Sequence, residues 1–175
     1  MAYVPYVDPS SIHNPSAGVN DAPATWGDQI NADLESLIEP AQALVYNSTV
    51  QAITDTTDTT LLFDSEVRDN DTIHSTAVNT GRLTCQTAGV YDIWCSGSWE
   101  LDAAGVRVLM VYKNGSVIPG IRAFEGAPHS LVVVGQVVGH LLELAVSDYI
   151  TFVVNQTSGS TLDATFRAAM ILRSR

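Results

Sequence analysis

The sequence predicts an all-β fold, an antiparallel jelly-roll β-sandwich preceded by an extended arm and one short α-helix. Three observations carry that expectation. From Ala43 onward apolar residues recur with period two. Turn-forming residues punctuate this region every 8 to 12 positions, as in sandwiches and jelly rolls. Apolar residues at helical spacing are confined to 25–40.

Residues 1–24 carry Pro5, Pro9, Pro15 and Pro23 among Ser, Asn and Gly, which forbids a long helix and favours an extended arm. Its Tyr3, Val4, Tyr6 and Val7 suit an arm lying along a partner better than a solvated tail.

Residues 25–40 read as a helix with both ends marked. Thr25 can cap with its hydroxyl, Asp28 lies near the positive helix end, and Pro40 terminates. Trp26, Ile30, Leu34, Leu37 and Ile38 form one apolar stripe, while Asp28, Asn31, Asp33, Glu35 and Ser36 occupy the other faces. A helix this short is marginal alone, so the stripe is expected to be buried as an attachment or oligomerisation surface.

The third segment, 43–175, is the expected head. "VYDIWCSGSWEL" sends Tyr91, Ile93, Cys95, Gly97, Trp99 and Leu101 to one side. "LDATFRAAMILR" does the same with Leu162, Ala164, Phe166, Ala168, Met170 and Leu172. Asn114-Gly115 between two apolar runs marks a hairpin. Further strands are expected near 43–53, 58–63, 82–86, 106–113, 130–138, 141–145 and 148–155.

Two strands are apolar on both sides. "VRVLMVY" alternates Val106, Val108 and Met110 with Leu109 and Val111, and "SLVVVGQVV" alternates Leu131, Val133 and Val137 with Val132, Val134 and Val138. A two-sheet sandwich buries one face of each sheet, so the second face needs another cover. Subunit contact through Leu109, Val111, Val132 and Val134 is the expected cover, with the arm or helix as the alternative.

Composition limits the partners. Eight basic against 19 acidic residues give a net charge of −11, the arginines are scattered, and Lys113 is the sole lysine. No basic stripe exists to collect phosphates, which argues against nucleic acid and anionic membrane. The start of the sequence lacks the pattern of a secretion signal and no run is long enough to span a membrane, so a protein remaining in the cytosol is expected. On that expectation the sequons at Asn47, Asn114 and Asn155 are turn-prone Asn and no more.

Cys85 and Cys95 are expected as buried free thiols. If 87–89 turns the chain, Cys85 lies opposite Tyr91 and Cys95 opposite Gly81, an offset of about 13 Å that no disulfide spans.

No catalytic signature of the H-E-x-x-H, G-x-x-x-x-G-K, G-x-S-x-G or S-x-x-K kind occurs, and His13, His74, His129 and His140 are isolated. A non-enzymatic protein without cofactor or metal is expected. The acidic run "DSEVRDND" at 64–71 has the oxygen ligands for calcium but lacks the spacing and central Gly of a calcium loop, so a solvated loop is favoured. Carboxylate pairs for glycoside cleavage cannot be read from sequence, because their spacing is three-dimensional. Trp94 and Tyr149, both on expected outward faces, are candidates for stacking on sugar rings or for a protein contact.

Gly89, Tyr91 and Ile93 match a G-x-Y-x-[FI] strand opening. Leu142, Leu144, Asp148 and Ile150 match an L-x-L-x-x-G-D-x-[VI] turn, with Ser147 in place of the Gly. With the closing "FRAAMIL", residues 43–173 resemble the tumour-necrosis-factor-like jelly roll, also found in complement recognition heads. The preceding Thr25, Trp26, Asp28, Ile30, Asp33 and Leu34, in a T-W-x-D-x-I-x-x-D-L-like helix, resemble small virion proteins of tailed bacteriophages and prophages. That resemblance implies a homotrimer on the virion exterior, bound to a tail or major capsid protein, with no catalytic residues. A tail-tip or fibre component is the leading expectation, since a projecting head suits host contact. A capsid decoration protein is the alternative, and a glycan-binding receptor-recognition module is the reading from another class.

Overall fold

The period-two pattern is realised as strands. A computed structural model describes Leu34, residues 39–126 and residues 133–174. The chain divides into two units, Met1–Pro40 and Ala41–Arg175. In the first, only Leu34, Glu39 and Pro40 are described, with Leu34 helical and exposed. The arm and the rest of the expected helix, Trp26, Ile30, Leu37 and Ile38 included, lie outside the described residues.

The second unit is a β-sandwich. Sheet A runs β4 (Ser65–Asp69), β1 (Gln42–Tyr46), β11 (Leu162–Ser174), β6 (Gly89–Trp99) and β9 (Gly135–Leu144), with β2 (Gln51–Ile53) also paired to β11. Sheet B runs β3 (Thr59–Thr60), β10 (Tyr149–Gln156), β7 (Val106–Lys113) and β8 (Ser116–Gly126), with β5 (Leu83–Thr84) also paired to β10. Every pairing is antiparallel. Among the described residues only β7 and β8 pair as consecutive strands, so the chain keeps crossing between sheets and the sandwich resembles a jelly roll.

The core forms where the inner faces meet. Tyr91, Ile93, Cys95 and Trp99 of β6 and Ala164, Phe166, Ala168, Met170 and Leu172 of β11 are all buried, as their alternation predicts. Across from them lie Ile150, Phe152 and Val154 of β10. Gly97 faces Phe166 across the β6–β11 pairing, and a Cβ there would collide with the Phe166 ring and the Thr165 carbonyl. The space left by Gly97 admits that ring, which meets Trp99 edge-on at 5.8 Å.

A polar bridge closes one end of the sandwich. The Trp99 indole donates to the Gln136 side chain at 2.8 Å, and Gln136 donates to the Arg107 carbonyl at 3.0 Å, joining sheet A to sheet B. The Arg107 side chain is buried, donates to the Ala104 and Val106 carbonyls, and lies 3.6 Å from Asp102. Burial pulls its guanidinium below the usual range while Asp102 opposes that pull.

The hairpin turn is tied to a neighbouring turn. Asn114 and Gly115 both have positive φ, as a two-residue hairpin loop requires. Asn114 donates to Asp148 at 2.7 Å and accepts from the Tyr149 amide at 2.9 Å, while Lys113 pairs with Asp148 at 2.8 Å. Lys113, then Asn114, then the Ala145 amide hold the Asp148 carboxyl down at about 2.

Several expectations are corrected. The acidic run is largely strand β4, with its carboxylates turned to nearby donors: Asp69 accepts from the Asp71, Ile73 and His74 amides, and Glu66 meets His74 Nδ1 at 2.7 Å. The stretch 43–53 is two strands, and 130–138 with 141–145 yields one strand running through Gly139. Leu101 lies beyond the end of β6 and is exposed. Cys85 does not face Tyr91 across a pairing, because β5 joins β10 in the other sheet. Both cysteines are nevertheless free and buried, and burial raises both thiols.

Leu109 and Val111, expected at a subunit contact, are fully enclosed in the core. Their partners Val154 and Phe152 fix the parity of β7, which leaves Val106, Val108 and Met110 on the outer face.

Candidate interaction surface

The outer face of sheet A is built in cross-strand rows. One row is Leu44, Ala169, Trp94 and Gly139, contributed by β1, β11, β6 and β9. Beside it run Tyr46, Arg167, Ser96 and Val137, and on the other side Gln42, Ile171, Asp92 and Leu141. A solvated outer face would alternate apolar-in with polar-out. Here the half-buried Leu44, Trp94 and Ile171 stand around the fully buried Ala169 in the middle.

Its margins are open. Val137 is 67% exposed, Leu141 57%, and Val67 on edge strand β4 67%. Trp94 is half-buried at the floor of a depression of about 750 Å³ whose walls include Leu44, Tyr46, Val67, Thr165 and Arg167. Gly139, opposite Trp94, leaves the indole uncrowded on that side. Arg173 pairs with Asp92 at 2.6 Å along the same face. Apolar area of this kind, rimmed by polar groups, marks contact with another protein.

A second apolar region follows the edges of the sandwich. β8 ends sheet B, β9 ends sheet A, and the two strands touch. Val117 and Phe124 of β8 and Val133 before β9 are exposed there. Exposed edge strands carry unpaired backbone groups as well as these side chains.

The outer face of sheet B is apolar toward β8, where Val106, Val108 and Met110 adjoin the exposed Phe124, and more polar around β10. Tyr149 lies beneath the Arg82 guanidinium, 4.2 Å from the ring centre. The Tyr112 hydroxyl reaches Asp58 at 3.3 Å.

Trp94 and Tyr149, the two stacking candidates, therefore stand on opposite sides of the sandwich and do not combine into one site. Of the remaining predicted interface residues, Val134 is partly buried against the core and Val132 lies outside the described residues. The Leu44, Ala169 and Ile171 neighbours of Trp94 were not singled out from the sequence. Their signal was available in strands 42–46 and 162–174, where both faces carry apolar side chains.

Nothing in the acidic region forms a metal cage. Asp64 accepts from the Ser48 amide and hydroxyl, and the amide bond is the main reason its carboxyl sits below 3.8. No group of three or more His, Cys, Asp or Glu able to hold a metal occurs among the described residues.

No family model and no curated protein matches the sequence. Solved structures do match the fold. The globular domain of zebrafish complement 1qA protein is 20% identical, covers 77% of this chain and 98% of its own, and superposes with a TM-score of 0.52. Murine APRIL at pH 5.0 is 13% identical over 75% of this chain and 99% of its own, with a TM-score of 0.54. The PRD1 vertex protein P5 is 16% identical over 76% of this chain and 97% of its own, with a TM-score of 0.54. At these identities the likeness is one of fold.

Proposed function

We propose that this chain is a structural protein of a virus particle, in which three jelly-roll heads associate through the outer face of sheet A and sit on the capsid exterior. The observation that carries the assembly is the block of Leu44, Trp94, Ala169 and Ile171 on an outer sheet face, with Val137 and Leu141 at its margin. A second copy presenting its β8–β9 edge supplies a complementary apolar surface. Such a contact is heterologous and makes a ring when its rotation closes, and three copies per ring is what the resemblance to trimeric virion jelly rolls implies.

Placement on a particle rests on the resemblance of 25–34 and the head to small phage virion proteins. The fold likeness to a vertex protein supports a capsid-surface position over the tail-tip or fibre position. The net charge of −11 per copy suits the exterior, away from packaged nucleic acid. The attachment partner is then the major capsid protein.

The assembly is tested by measuring the mass of the purified full chain in solution. Three times the 18.7 kDa of one chain is expected. Trp94→Asp should yield a folded monomer, since Trp94 is on the outer face and a charge there must be desolvated in the contact. A monomeric wild-type protein at roughly 50 µM, weaker than a specific interface of standard size sustains, would sink the proposal.

A further inference from the structure

A groove of about 610 Å³ crosses the outer face of sheet B, within the size range of small-molecule sites. Thr151 and Val153 of β10 line it and are almost buried. At one end stands Arg82. The register Leu83↔Ile150 and Thr84↔Tyr149 places Arg82 just before β5, where its guanidinium lies over the Tyr149 ring. Among the described residues Arg82, like Arg122 and Arg167, has no carboxylate partner within 4.0 Å, whereas Arg107, Lys113 and Arg173 each have one. The ring contact holds the exposed guanidinium near Tyr149 and leaves its N–H donors open.

Asp58 stands at the other end, already held in place. Its Oδ1 accepts from Asn155 at 2.7 Å and its Oδ2 from the Tyr112 hydroxyl at 3.3 Å. Each oxygen retains acceptor capacity for one further donor. The Tyr112 phenol is a donor at neutral pH, as any tyrosine is, and burial, then the Asp58 charge, raises its pKa further. Tyr112 and Tyr149 add amphipathic rings to the lining.

The groove thus offers one guanidinium seated on a ring, one hydrogen-bonded carboxylate and two aromatic rings. We propose that it binds a saccharide bearing a carboxylate, with the sugar carboxylate on Arg82, a sugar hydroxyl on Asp58 and a pyranose ring against Tyr112. A polyphosphate or nucleic acid would need several cations, and the groove supplies one. A neutral sugar gives Arg82 hydroxyl acceptors but no charge, and so forgoes the charge-assisted bidentate contact. A peptide carboxylate also meets Arg82, and the peptide N–H groups meet Asp58, but it brings no pyranose face to Tyr112. The groove is complete within one head, so its test does not depend on whether heads assemble.

The experiment is saturation-transfer NMR with titration on the full chain, using a glucuronate tetrasaccharide, sialyllactose and neutral lactose as probes. At least one carboxylated probe should bind roughly tenfold or more tightly than lactose, the scale of one charge-assisted bidentate contact. Binding of the first alone identifies a uronate site, and of the second alone a sialate site. Arg82→Gln and Tyr112→Ala, which should leave far-ultraviolet circular dichroism unchanged, should each lower that affinity by about tenfold. The assignment is overturned if neither acidic probe binds at about 10 mM, weaker than any specific saccharide site requires. It is equally overturned if lactose binds as well as they do, or if Arg82→Gln binds like the wild type.

Discussion

Single residues decide the turns of this sandwich. Asp148 is the clearest case, because one carboxylate receives Lys113, Asn114 and the Ala145 amide and so locks two turns together. Its folded value near 2 lies below its ordinary 3.8, so its stabilising contribution is complete above that value and disappears as pH falls through about 2. Wild-type stability should therefore drop between pH 4 and pH 2. Asp148→Asn should melt a few degrees lower at pH 7 and lose less over the acid window, checked by thermal unfolding across pH. The preceding residue shows what sequence could and could not reveal. The turn was legible from Leu142, Leu144, Asp148 and Ile150, and Ser147 occupies the position where Gly was expected. Its φ of 74° shows that the left-handed conformation is kept although the glycine is not.

Elements follow their neighbours more than their own sequence. β6 and β11 were readable because one face is apolar and the other mixed, and their pairing through ten positions makes them the centre of sheet A. Gly97 is essential to that pairing. Gly97→Ala should cost about 3 kcal/mol or more, since the colliding atoms are a carbonyl and a packed ring, and chemical denaturation measures it. Unchanged stability would mean that Phe166 can move aside. β7 shows the opposite situation. Both faces are apolar, and Arg107 and Lys113 mark the Leu109 and Val111 side as outward, yet pairing to Phe152 and Val154 turns that side inward and buries Arg107 with it. β4 was missed because an edge strand rich in charge, with a register shift against β1, looks like a loop. The Cys85 pairing failed because hairpin reasoning assumes that consecutive strands are partners, which jelly-roll crossovers violate.

At the scale of the whole molecule, the proposed function divides attachment from display. The stripe of Trp26, Ile30, Leu34, Leu37 and Ile38 is the proposed anchor to the particle. Leu34→Asp with Leu37→Asp should abolish incorporation while the head still folds, measured by quantitative mass spectrometry of purified particles. Normal incorporation would remove the anchor reading. The same spectra give copy number, where a capsid-scale count supports the capsid surface and a handful of copies the tail. This level was the least legible in sequence. The apolar side chains of the sheet A face are far apart along the chain, and only strand pairing brings Leu44, Trp94 and Ala169 into one row.

The outer faces of the two sheets point in opposite directions, and that has a consequence for recognition strength. If the sheet A face meets the β8–β9 edge of a neighbouring copy, the part of the groove around β10 stays outside the contact and recurs once per head. Three weak sugar sites on one rigid body then act by avidity: once one is occupied, the others meet the same surface at high effective concentration. Gains of about 10² to 10⁴ over a single site are available without any new contact. A shallow groove that would be a poor receptor on a monomer thereby becomes an adequate one on an array, and more so on a particle carrying many such arrays.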